Sequence, residues 1–150
     1  MPKRVLYGIL SIAVIVGVAA CDEKLSSLTG PTPSLEPKFS SIQHEIFEST
    51  DSSGRTPCVQ CHTNVGRNPA GGLNLLSGTS YSALVGVGSL QRPGATRVVA
   101  GDPANSYLIQ KLEGTAGISG RRMPFNGPPY LTDGQILVIK RWIEVGAKND

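Results

Sequence analysis

Phe39, Ile42, Ile46 and Phe47 recur at helical spacing and predict an amphipathic helix of about three turns, ending before the stretch "DSSGRTP". Toward the other end, Ile136, Val138, Ile139, Trp142, Ile143 and Val145 cover half a helical wheel. Lys140, Arg141 and Glu144 lie opposite, and Leu137 is the exception. Thr132 and Gln135 ahead of that stripe form a capping-box pattern, and Gly146 is a suitable stop. Asp102-Pro103 reads as an N-cap followed by a first-turn proline, opening a shorter helix that ends near Leu112 with Ala104, Leu108 and Leu112 aligned. A further turn or two of helix is expected from Ser80 to Val85. The intervening pieces "GRNPAGGLNL", "GVGSLQRPGATRVVAG" and "EGTAGISGRRMPFNGPPY" are rich in Gly and Pro and predict ordered loops. No internal repeat is apparent.

The first forty residues follow a different pattern. Met1 to Arg4 is basic, and the apolar run from Val5 to Val18 carries no charge and leads into "VAAC". This is the build of an export signal, too short for a membrane span of about 20 residues. Val18-Ala19-Ala20-Cys21 resembles the lipobox of bacterial lipoproteins. That resemblance implies a lipid on the Cys21 sulfur, a mature chain starting there, and an exported protein anchored to a membrane in the periplasm or at the cell surface. An ordinary signal peptide with a coincidental cysteine is the alternative. The next residues, "DEKLSSLTGPTPSLEPK", cannot build a core and read as a tether. At about 3 Å per extended residue they reach roughly 50 Å. The expected organisation is a signal over 1–20, a lipid-anchored linker over 21–38 and one domain over 39–150.

Charge narrows the partners. Of the 14 Lys and Arg, Lys3 and Arg4 fall in the signal, so the remainder carries 12 against 11 Asp and Glu. Arg121-Arg122 and Lys140-Arg141 are too sparse for a nucleic-acid-binding face.

Chemistry is concentrated in "PCVQCHTN", where Cys58 and Cys61 flank two residues and His62 follows directly. With Cys21 lipidated, these are the two thiols left in the exported part, so a disulfide framework is not expected. The Cys-x-x-Cys-His spacing is a signature of covalent haem c attachment: both thiols add to the vinyl groups, and the adjacent histidine offers its ring to iron. Zinc is the main rival, but it needs four N or S ligands, and beyond Cys58, Cys61 and His62 only the distant His44 is offered. A thioredoxin-like redox pair is the second rival, and the βαβ pattern it belongs to is absent. A haem would also complete a core that short helices and glycine-rich loops fill poorly. For a sixth ligand, Met123 is the one methionine past the signal, in a Gly/Pro-rich loop before the last helix. A gap-filling core methionine is the plain alternative. His44 falls on the polar side of the first helix and is expected to face solvent.

"CVQCH", "GGLNL", "GDPANSYLIQKL", "RMP" and "LTDGQILVIKRWIEVGA" together resemble a monohaem c-type cytochrome domain of the class I type, notably the variety known as planctomycete-type cytochrome c, over residues 39–148. The resemblance implies an all-α fold of roughly four short helices and Gly/Pro-rich loops around one covalent haem. It implies Cys58 and Cys61 as thioether sites, His62 as proximal ligand and Met123 as distal ligand. It also implies that the first and last helices cross, bringing Ile46 or Phe47 against Trp142 or Ile143. The long segment from Pro69 to Gly101 departs from compact members of that class. Arg92, Arg97, Arg121, Arg122 and Tyr107 are candidate partners for the haem propionates. The implied activity is single-electron transfer between redox partner proteins rather than enzymatic turnover. A subunit that admits electrons to a specific dehydrogenase or oxidase, and a haem sensor or peroxidase with labile Met ligation, are the alternatives.

Overall fold

The computed structural model describes residues 34–150; the stretch read as an export signal, Cys21 and the stretch read as linker up to residue 33 lie outside the described residues. Within them the protein is all-α: α1 (Phe39–Ile42), α2 (Ser80–Leu84), α3 (Tyr107–Glu113) and α4 (Asp133–Glu144), with no strand and only isolated β-bridges.

α1 does not stop at Ile42. It continues as a π-helix over Gln43–Glu48, so the predicted three turns are present but the last are wound wider. Phe39, Ile42, Ile46 and Phe47 are all buried, as the stripe requires. The wider i→i+5 register sets Phe47 five residues beyond Ile42 on the same side. It also turns Gln43 inward, where its amide donates to the Leu75 carbonyl at 2.8 Å and its oxygen accepts from the Ser80 hydroxyl. The first helix is thereby fixed to the start of α2.

α4 carries the expected capping box: Thr132 accepts from the Gln135 amide at 3.2 Å, and Gln135 accepts from the Thr132 amide at 2.9 Å. Ile136, Ile139, Trp142 and Ile143 are at most 4 % exposed. Val145 departs from the expected stripe, because the helix ends at Glu144 and the valine is 61 % exposed. Gly146 follows in the left-handed region at φ 103°, where a side chain would be strained.

The helix predicted from Asp102 starts later, at Tyr107. Asp102 instead closes a local turn by accepting from the Asn105 amide at 3.1 Å. Ser106 is held extended by a bridge to Thr96, so helical dihedrals begin only after it. The far end is as expected, with Gly114 in the left-handed conformation.

One core joins these pieces. The ring contact between the first and last helices is that of Phe39 with Trp142, 5.3 Å apart, where Ile46 or Phe47 was expected; Phe39 also lies 6.4 Å from Phe47. The segment after α4 closes over α1 and α2: Asp150 accepts from the Phe39 amide at 2.8 Å, and Tyr81 of α2 donates to the Ala147 carbonyl at 2.9 Å. A carboxylate at a helix N-terminus is electrostatically favourable. Leu35, in the stretch read as linker, also packs on this core.

Candidate haem site

The motif begins on a 3-10 turn, Cys58–Gln60, whose backbone closes on itself: the Cys61 and His62 amides both donate to the Cys58 carbonyl, at 3.2 and 2.9 Å. The "GGLNL" segment is laid against it. Leu75 donates to the His62 carbonyl at 2.8 Å, and Ala70 to that of Cys61 at 3.1 Å. His62 Nδ1 sits 3.2 Å from the Leu73 carbonyl oxygen. A carbonyl can only accept, so Nδ1 carries the proton and Nε2 keeps its lone pair. Such a backbone contact fixes both tautomer and ring orientation of a metal-binding histidine. Burial holds the imidazole below its ordinary pKa; Leu73 and Ala70 oppose this, and the charges of Arg97 and Lys111 reinforce it. A neutral ring is the form that binds a metal.

A cavity of about 420 Å³ opens beside the motif, and Cys58, Cys61, His62 and Met123 all line it. His62 and Met123, 61 positions apart, thus line one cavity. Met123 is held through its backbone, its amide donating to the Lys111 carbonyl at 2.8 Å. The walls are largely apolar, with Ile46, Phe47, Leu73, Leu75, Leu84 and Leu131 among them.

Arg97 and Lys111 line the same cavity and are only 7 and 6 % exposed. Arg97 donates to the carbonyls of Gly71, Gly72 and Ala83, and Lys111 to those of Ser119 and Arg121. Among the described residues neither has a carboxylate within ion-pairing distance, and no Asp or Glu lines the cavity. Burial lowers the pKa of both. Two buried cations without counter-charge fit an occupant that is itself anionic. A haem, with an apolar ring, two carboxylates and an iron needing N and S ligands, fits this set of donors, walls and charges.

Of the other candidates, Tyr107 lines the cavity and its hydroxyl accepts from the Ser119 amide at 2.9 Å. Arg92, Arg121 and Arg122 do not line it; each guanidinium lies over an aromatic ring, of Tyr107, Phe125 and Tyr130 respectively. Lys111 escaped the sequence reading, although it stands four positions after Tyr107 on the same face of α3. His44 is where it was expected, its side chain 75 % exposed and 3.0 Å from Glu45. Zinc loses its fourth ligand accordingly, and among the described residues no three His, Cys, Asp or Glu side chains gather as a metal-binding group.

Comparison with known proteins yields no match to a family model, to a curated protein or to a solved structure.

Proposed function

We propose that this chain is a monohaem c-type cytochrome of the class I type, exported, lipid-anchored through Cys21, and carrying single electrons between redox partner proteins. The observation that carries the reading is the convergence of Cys58, Cys61, His62 and Met123 on one apolar cavity whose buried cations lack counter-charges. Cys58 and Cys61 would hold the group by thioether bonds, His62 and Met123 would ligate its iron, and Arg97 and Lys111 would meet its carboxylates.

Bound there, the haem supplies a one-electron couple, and His/Met ligation sets it higher than thiolate ligation would. The chain does the rest. Leu73 keeps the His62 ring in one tautomer and orientation. The Lys111 carbonyl holds the Met123 backbone, leaving its thioether free to point inward. The aliphatic walls exclude water, which limits reorganisation when charge changes. Cys61 and Phe125, both exposed at the cavity mouth, mark the edge where a partner can approach.

Protein purified from cells able to attach haem is expected to be red, to carry the added mass of one haem, and to show a near-infrared sulfur-to-iron band. A colourless product of unmodified mass sinks the reading. Mass spectrometry of the membrane fraction tests the anchor separately, since a soluble mature form lacking a lipidated Cys21 removes it.

A further inference from the structure

Arg55 is 0 % exposed, one of the largest fully buried side chains in the molecule, and a bare buried guanidinium is costly. It sits behind Cys58, not in the cavity. Nη2 donates to the Ile46 and Ser49 carbonyls, each at 3.2 Å, and Nη1 to the Thr56 carbonyl at 3.2 Å. Nη1 also faces the Cys58 sulfur at 3.9 Å. On the opposite side, Nε lies 3.4 Å from Asp51, whose side chain is 4 % exposed and also accepts from Gln135 at 3.3 Å. The pair is thus a buried dipole with its positive end on the sulfur. The Arg55 end is fully buried, so its field at the sulfur is weakly screened.

We propose that this Asp51–Arg55 pair tunes the reduction potential of the site through Cys58, with Arg55 raising the potential and Asp51 lowering it. The inference rests on the haem reading above. Its sign follows from charge. Oxidation adds a positive charge to the centre, which a fixed cation beside the Cys58 sulfur opposes and an anion favours. Arg55 does not itself line the cavity but contacts Cys58, which does, so it acts as a positioning and tuning residue through the sulfur.

The test is redox titration of the haem-loaded protein and of Arg55→Gln, Arg55→Lys and Asp51→Asn, with the sulfur-to-iron band recorded for each. At fixed ambient potential, Arg55→Gln is expected to lower the ratio of reduced to oxidised protein by about tenfold. Asp51→Asn should raise it, and Arg55→Lys should stay near wild type. A purely structural role would weaken the site in both charge-removing variants and move them the same way, so shifts of one sign overturn the proposal. An unchanged ratio in Arg55→Gln with the band intact also overturns it, while leaving the haem reading standing. If Arg55→Gln does not accumulate, Asp51→Asn decides: an upward shift supports the proposal and any other result defeats it. A wild-type protein without haem removes both readings together.

Discussion

At the scale of single residues, Met123 and His44 separate cleanly. Met123 lines the cavity opposite nothing else that could ligate from its loop, whereas His44 is out in solvent beside Glu45. Met123→Ala is therefore expected to abolish the near-infrared sulfur band and lower the reduction potential, and His44→Ala to leave both as they are. A Met123→Ala spectrum identical to wild type would give the sixth position to another group. Lys111 makes a different prediction. Its buried charge would keep a haem carboxyl ionised, so the wild-type potential should be flat between about pH 5 and pH 8. In Lys111→Met that carboxyl would titrate within the window, and the potential should fall as pH rises, because an ionised carboxylate favours the more positive oxidised state. Equal, flat profiles would mean that Lys111 meets no carboxylate. Sequence alone marked Met123, since it is the one methionine after Met1, but it could not mark Lys111 or Arg55. A lysine or arginine is ordinarily solvated, and nothing local announces that packing has removed the water.

Among the elements, α4 was the most legible, because its signals are local: a capping box within four residues and an apolar stripe repeated over three turns. Thr132→Ala should lose the cap and cost about 1 kcal/mol, read as a lower denaturant midpoint with an unchanged slope. No loss would mean that Gln135 alone suffices to hold the helix end. α3 was misplaced at its start for an equally physical reason. Asp102-Pro103 can begin a helix or close a turn, and the bridge between Thr96 and Ser106, set by chain ten residues away, selects the turn. The π-helical winding of Gln43–Glu48 likewise goes with long-range contacts, Gln43 bonding to Leu75 and Ser80 and Arg55 to the Ile46 and Ser49 carbonyls.

Over the whole molecule, stability depends on long-range contacts at both ends of the core. Trp142 is fully buried, lies against Phe39 and donates to the Lys148 carbonyl at 2.8 Å. Trp142→Ala should cost about 3–5 kcal/mol, measured by denaturant unfolding, and a loss below about 1 kcal/mol would mean that the two helices do not depend on that packing. Acid should act through Asp51, which joins the segment after the first helix to α4. Burial pushes its carboxyl up, but hydrogen bonds from Ser53 and Gln135 together with the Arg55 charge hold it below the ordinary aspartate value. A depressed folded pKa contributes stability above about pH 3.9 that is lost as the pH falls through the lower folded value. Asp51→Asn should therefore unfold with less dependence on pH in that range, and an identical acid transition would place the sensitivity elsewhere.

Spacing along the chain determined the Cys-x-x-Cys-His motif, the capping box of α4 and the apolar stripes, because each depends on residues within a turn or two of one another. Tertiary structure alone decided that Met123 faces the same cavity as His62, that Arg97 and Lys111 are cations without counter-charge, and that Arg55 stands behind a sulfur. Those are facts of desolvation and of contacts between distant segments, and neither is written in any local pattern.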